Sequence, residues 1–195
     1  MKIFSRLIAN LRKLPGVGPK QAERFSLYVL KASGSEVNEL IESINEIRDN
    51  TVSCRKCFNY SLKELCHICS DSQRNGAVIC VVENAQDLEA IEKTGFYKGL
   101  YHVLGGYISP VEGVERGHIR LKELVERVKD GSVEEVIIAT NPSAEGETTA
   151  IYVHNGIKEF VPKISRIAFG IPLGGDINYM DELTITHSLE GRRKI

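Results

Sequence analysis

Val136-Ile137-Ile138-Ala139-Thr140-Asn141-Pro142-Ser143-Ala144-Glu145-Gly146-Glu147 is the stretch on which the reading of this chain turns. Its apolar opening belongs to a buried-type strand, predicted over residues 133–140, and its acidic end opens a helix predicted over 145–155. The same alternation repeats on either side. Strands are expected over 77–83, 101–105 and 164–171, and helices over 86–94 and 118–129. Strands alternating with helices argue for an α/β fold, a mostly parallel sheet with helices packed on its faces. Open sheets of this kind place ligands at the carboxyl ends of their strands. Two acidic clusters fall at such ends, Glu83 with Asp87 after the first strand and Glu145 with Glu147 after the third. The plainer reading of Glu83 and Asp87 is capping of the next helix, since acids favour helix starts.

Upstream of residue 76 the pattern is different. Ile3, Phe4, Leu7, Ile8, Leu11 and Leu14 recur at spacings of three and four, which makes an amphipathic helix ending near Lys13. Leu14-Pro15-Gly16-Val17-Gly18-Pro19-Lys20 then supplies a tight turn, with Pro19 placed as the first residue of a second helix that runs to about Lys31. Glycines here let backbone approach a ligand closely, and the following helix start offers unpaired N–H groups at a positive dipole end, which suits a phosphate. A third helix is expected over 36–48, with Val37, Leu40, Ile41, Ile44 and Ile47 on one face, read as the core-facing stripe that closes a small N-terminal unit.

The formal net charge of -1 conceals an asymmetry. Residues 1–31 hold seven basic side chains (Lys2, Arg6, Arg12, Lys13, Lys20, Arg24, Lys31) against the single acid Glu23, whereas the remaining chain is acidic. A basic first segment on an acidic body attracts a polyanion locally; the plain alternative is a solvated helix face.

Cys54-x-x-Cys57 and Cys66-x-x-Cys69 form two knuckles separated by eight residues. Four thiolates complete a tetrahedral Zn2+ shell without an open position, so the expected ion is structural, one per chain, rather than catalytic. An iron–sulfur cluster or a pair of redox dithiols is the alternative use of such a set. Cys80, inside the apolar run Val78-Ile79-Cys80-Val81-Val82, reads as a small buried hydrophobe. A segment this short and poor in aliphatic side chains needs metal to hold it.

Composition bounds the rest. Hydrophobic residues at 42% and charged residues at 26% suit a soluble globular chain, and the longest apolar run, 77–82, is too short to span a bilayer. Arg6, Asn10, Arg12 and Lys13 interrupt any signal-type apolar region at the start, so a cytoplasmic location is expected.

Three of these motifs resemble known elements. The strand running into Asn141-Pro142-Ser143 and Glu145-Gly146-Glu147 resembles the Toprim domain of topoisomerases and primases, in which two aspartates stand where Asn141 and Ser143 stand here. Replacing two acids by neutral groups weakens a Mg2+ site sharply. The Leu-Pro-Gly-Val-Gly turn resembles a helix-hairpin-helix, which implies that Gly16, Val17 and Gly18 present amides to DNA backbone while Arg12, Lys13, Lys20 and Arg24 neutralise phosphates. With the four-cysteine insert and the closing segments Arg166-Ile167-Ala168-Phe169-Gly170-Ile171-Pro172-Leu173-Gly174-Gly175-Asp176 and Leu189-Glu190-Gly191-Arg192-Arg193, the whole chain resembles the bacterial recombination mediators of the RecR family.

That resemblance implies a helix-hairpin-helix DNA-binding region over 1–53, a four-cysteine zinc finger over 54–75, a Toprim domain over 76–171 and a C-terminal tail over 172–195. It further implies a non-enzymatic DNA-binding protein that forms homodimers or a homotetramer ring. Such a protein works with RecO and RecF to load RecA on gapped DNA coated by single-strand-binding protein. Glu83, Asp87, Glu145 and Glu147 then become candidates for meeting a basic partner. The competing reading is a Mg2+-dependent Toprim nuclease or primase built on Glu83, Glu145 and Glu147. ATP hydrolysis is not expected, because no Gly-x-x-x-x-Gly-Lys-[Ser/Thr] loop is present.

Overall fold

The structure, a computed structural model, describes residues 2–109, 118–192 and 194. The chain divides into two compact units, Met1–Thr51 and Val52–Ile195. Arg193, part of the tail motif, lies outside the described residues.

The first unit consists of helices α1 (Lys2–Leu11), α2 (Pro19–Lys31) and α3 (Gly34–Asn50). The apolar rows of α1 and α2 pack together, burying Ala22 completely, and the Ser26 hydroxyl donates back to the Ala22 carbonyl at 2.8 Å. Ser33 starts α3 through a capping box, its hydroxyl accepting from the Glu36 N–H while the Glu36 carboxylate accepts from the Ser33 N–H. The expected core-facing stripe of α3 is not buried in this unit. Leu40, Ile41, Ile44 and Ile47 are exposed, and α3 contributes no buried residue. The periodicity reveals an apolar face correctly, but nothing in this unit of the single chain covers it, and Ile3, Tyr28 and Leu30 of α1 and α2 are exposed as well.

In the second unit a two-residue antiparallel ladder, β1 (Val52–Ser53) with β2 (Tyr60–Ser61), frames the first cysteine knuckle, and the one-turn helix α4 (His67–Ser70) carries the second. The alternating body follows: β3 (Asn75–Val82), α5 (Ala85–Glu92), β4 (Gly99–Val103), α6 (Leu121–Val128), β5 (Glu135–Ile138), α7 (Ala144–Ile157) and β6 (Lys163–Arg166). The strands form a parallel sheet in the order β4-β3-β5-β6. From β3 to β6, expected and observed elements correspond one to one, with shifted ends.

Alternation along β3 builds two cores. Ile79 and Val81 join Leu124, Val128, Val136, Ile138, Val153 and Ile157 on one face of the sheet. Cys80 and Val82 join Leu88, Tyr101, Val103 and Ala139 on the other, and Cys54, Cys57, Cys66 and Ile68 belong to that same cluster. Cys80 is 3% exposed, as expected of a buried hydrophobe.

Two features depart from expectation. The final strand stops at Arg166 rather than at 171, because its partner β5 ends at Ile138 and the Ile167 N–H to Ile138 carbonyl bond at 3.0 Å is the last one available. The tail contains a helix that was not foreseen, α8 (Glu182–Glu190), started by Asp181, whose carboxylate accepts from the Thr184 N–H at 2.9 Å. Among the described residues, no helix is long and apolar enough to cross a membrane.

Candidate functional site

In the first unit the turn between α1 and α2 is closed by the Val17 N–H to Leu14 carbonyl bond at 3.1 Å, and Gly16 takes φ +76, a conformation that L side chains rarely adopt. Gly18, at φ -78, precedes α2, and Pro19 occupies the first turn without a side chain capping the orphan N–H groups. A Cβ at Gly18 would meet nothing within 4 Å, so the backbone there is open to close approach. Gly18, Pro19, Lys20, Gln21 and Arg24 line one hollow at this helix start. Arg12, Lys13, Gly16, Lys20 and Arg24 are exposed, and Val17 is half-buried. The arrangement joins a positive helix end with long cationic side chains, the combination that binds phosphate oxygen.

In the second unit the four cysteines converge, with ligand atoms of Cys54, Cys57, Cys66 and Cys69 all within 4.8 Å of one another. Cys57 and Cys66 sulfurs lie 3.5 Å apart, and the Cys66 N–H donates to the Cys54 sulfur at 3.3 Å, tying the two knuckles together. Phe58 takes φ 65, unusual for a residue with a side chain, and thereby turns the first knuckle back so that the Cys54 N–H reaches the Asn59 carbonyl at 2.8 Å. Hydrogen bonds shared with Cys57 and Cys69 pull the Cys66 thiol well below its ordinary range. The reciprocal bonds to Cys66 and Cys69 push Cys57 up. Four thiols this close cannot all ionise without a cation, and a soft tetrahedral ion is what the donor set fits. His67 is not among the converging groups.

The third location is where β3 and β5, hydrogen-bonded neighbours, end side by side. Glu83 follows β3 and is 4% exposed. Its carboxylate accepts from the Asn141 backbone N–H at 3.0 Å and from the Asn141 side-chain amide at 2.6 Å. Asn141 thus donates from the position where an aspartate would share a cation with Glu83. Ser143 caps α7, its hydroxyl accepting from the Gly146 N–H at 3.1 Å, while the Thr140 hydroxyl donates to the Gly146 carbonyl at 2.8 Å. Gly146 must be glycine, since a Cβ there would sit 2.0 Å from the Asn141 carbonyl oxygen and 3.0 Å from Glu83 Oε1.

Positive charge enters this site from a side chain. The Arg166 guanidinium, at the end of β6, donates to Glu147 and to the Thr140 hydroxyl, each at 2.5 Å, with its Cζ 4.8 Å over the Phe169 ring. Glu145 is half-exposed in the first turn of α7, and Asp87 closes the capping box of α5 with Asn84. Asp87 therefore does the capping expected of an acid at a helix start, and burial raises its pKa above the ordinary value. Among the described residues the four acids do not converge on a common point as the cysteines do.

Three family models cover most of the chain in order. RecR helix-hairpin-helix matches residues 4–48, Toprim domain 77–168 and RecR C-terminal 170–193. Recombination protein RecR of Gloeobacter violaceus is 47% identical over 192 residues, 98% of each chain. The chain belongs to the RecR family. The RecR of Moorella thermoacetica is 46% identical over 98% of this chain and 96% of its own, and that of Leifsonia xyli subsp. xyli 46% over 99% and 98%.

Sequence reading of this RecR chain overlooked Thr140, Gly146 and Arg166. Thr140 and Gly146 lie inside the quoted motif, and the glycine between two acids was the available signal. Arg166 opens the closing segment that carries the family resemblance, but its place at this site had no signal, because it arrives from a different strand and meets Glu147 only through the parallel pairing of β5 with β6.

Proposed function

We propose that this protein is a non-enzymatic recombination mediator that holds DNA backbone through its N-terminal hairpin, in the cytoplasm at the nucleoid. Gly16, Val17 and Gly18 present the turn, and Arg12, Lys13, Lys20 and Arg24 neutralise phosphates without reading sequence. One structural Zn2+ per chain is held by Cys54, Cys57, Cys66 and Cys69. Of the candidate acids, Glu145 and Glu147 reach the surface and mark the edge offered to a basic partner, RecO, with RecF joining the same assembly to load RecA on gapped DNA, whereas Glu83 is buried against Asn141 and Asp87 is engaged in its capping box. The exposed α3 stripe of Leu40, Ile41, Ile44 and Ile47 supports assembly into a homodimer or a homotetramer ring.

The observation that carries the non-enzymatic half is the engagement of Glu83 by both donors of Asn141. Two acceptor sites of Glu83 are taken by amide donors and Glu147 is paired with Arg166, so of the three acids in the Toprim-enzyme reading only Glu145 lacks such a partner among the described residues. The DNA-binding half rests on the match to the helix-hairpin-helix model and on the exposed cations around an open helix start.

The test is binding of gapped and single-stranded DNA across a salt series, followed by RecA loading on protein-coated gaps with and without RecO. Lys20→Glu with Arg24→Glu is expected to remove most affinity and flatten the salt dependence, by a slope of about 0.9 per lost phosphate contact. Unchanged binding by that double variant sinks the hairpin grip. Magnesium-dependent cleavage or synthesis abolished by Glu83→Gln would establish the Toprim-enzyme alternative instead.

A further inference from the structure

Arg127, on α6, reaches across the second unit to the first cysteine knuckle. Its Nη1 donates to the Tyr101 carbonyl at 2.5 Å and to the carbonyl of Lys56, between Cys54 and Cys57, at 3.3 Å. Its Nη2 is buried and has no hydrogen-bond partner among the described residues. No carboxylate pairs with this guanidinium among the described residues; the nearby cations Arg55 and Arg74 have Glu64 and Glu92. Burial lowers the Arg127 pKa, and the sulfurs of Cys69, Cys57 and Cys54 are the largest influences that hold it up.

An arginine keeps its charge in proteins, and Arg127 is half-buried with Nη2 shut off from water, a setting in which a charge without a counter-charge is unfavourable. The anions available to Arg127 are the cysteine sulfurs. A divalent ion with four thiolates carries two net negative charges, which need compensation when the set is buried as this one is. We propose that Arg127 is the counter-charge of the four-cysteine centre, a positioning residue that holds the metal–thiolate set by charge from 58 residues beyond Cys69. Carbonyl bonds to Tyr101 and Lys56 fix the guanidinium beside the first knuckle, where it acts on the sulfurs by charge rather than by a hydrogen bond. The inference rests on the reading that these cysteines hold a metal ion.

The experiment uses the full chain, purified without chelator. Metal per chain is measured first: a wild-type protein without metal overturns the metal reading itself, separately from the role of Arg127. Release is then followed with a chromophoric chelator in wild type, Arg127→Gln, Arg127→Lys and Leu124→Ala. Gln keeps a donor for Tyr101 and removes the charge; Leu124 is fully buried in the other core, so Leu124→Ala reports destabilisation alone. Arg127→Gln is expected to release metal about 10-fold to 100-fold faster, the range for loss of a partner just outside the ligands. Arg127→Lys is expected to recover at least half of that loss on a logarithmic scale, and Leu124→Ala to lower Tm with release within threefold of wild type. The sulfur-to-metal band of the Co2+-loaded protein should shift in Arg127→Gln only. Wild-type release by Arg127→Gln, no recovery by Lys, or equally fast release by Leu124→Ala overturns the assignment. Should Arg127→Gln fail to fold, release from Arg127→Lys more than tenfold faster than wild type overturns it instead.

Discussion

The side-chain amide of Asn141 lies 2.6 Å from the Glu83 carboxylate, and its backbone N–H lies 3.0 Å from the other carboxylate oxygen. Both are donors to a charged acceptor in a largely buried setting, where such bonds contribute about 1.5–3 kcal/mol. Asn141→Asp turns the pair into two adjacent carboxylates. The variant is expected to melt well below wild type in chelator and to regain much of the difference with millimolar Mg2+, whereas wild type should not respond to Mg2+. Scanning calorimetry with and without Mg2+ decides it, and a wild-type Tm that rises with Mg2+ counts against an amide-satisfied Glu83.

Gly146→Ala places a methyl 2.0 Å from the Asn141 carbonyl oxygen, which is backbone and cannot swing aside. The helix start must retreat, at a cost of about 1–3 kcal/mol typical of overpacking. Urea denaturation should show the unfolding free energy falling by that amount, with a correspondingly lower midpoint; an unshifted midpoint would mean that α7 does not press on the β5 end as described.

The two turn glycines should separate stability from binding. Gly16 at φ +76 tolerates alanine poorly, so Gly16→Ala is expected to destabilise by about 1–2 kcal/mol. Gly18 has ordinary φ and open space, so Gly18→Ala should cost only the roughly 0.5–1 kcal/mol of a poorer N-cap while weakening DNA binding severalfold by holding phosphate away from the backbone. Full DNA affinity in Gly18→Ala argues against close backbone approach at that point.

His102 is fully buried, with Nε2 at 2.8 Å from the Arg120 carbonyl and Nδ1 unpartnered among the described residues. A carbonyl only accepts, so Nε2 carries the proton in the neutral ring. Burial pulls its pKa from 6.5 down to about 4. Below pH 6.5 the unfolded chain takes a proton that the fold refuses, so stability is lost as pH falls from 6.5 to about 4, and this group adds no further loss below that. The expected loss is roughly 3 kcal/mol, at about 1.4 kcal/mol per pKa unit. His102→Leu should flatten stability against pH across that window; an unchanged slope sinks the attribution.

Metal removal should be felt beyond the finger, because Cys54, Cys57 and Cys66 share a buried cluster with Val82, Leu88 and Tyr101. Cys66→Ser, or prolonged treatment with a strong chelator, is expected to lower Tm by roughly 10 °C, which corresponds to about 3–5 kcal/mol in a chain of this size. It should also raise hydrogen exchange in β3 and β4. Protection lost only in residues 52–71 would show that the finger stands alone.

What the sequence disclosed follows from how local each signal is. The strands at Val78–Val82 and Val136–Ile138 were legible because runs of β-branched residues need no partner to be recognised, and the cysteine cluster because each Cys-x-x-Cys is complete within four residues. The end of β6 was not legible, since it is set by where β5 stops. Helix α8 hid behind Thr184-Ile185-Thr186, poor helix formers whose fold depends on the Asp181 cap. The α3 stripe was legible as apolar, but periodicity carries no record of what covers it. Asn141 stood out as a missing acid, whereas Arg166, which brings the compensating charge, could be found only in three dimensions.

Strand β3 divides its side chains between two reservoirs, aliphatic on one side and sulfur-bearing on the other. With the four cysteines holding a metal ion as proposed, a cell short of that ion would hold a protein with one hydrophobic layer intact and the opposite one slackened, which would couple the supply of a nutrient ion to the firmness of the platform on which the acidic strand ends are displayed.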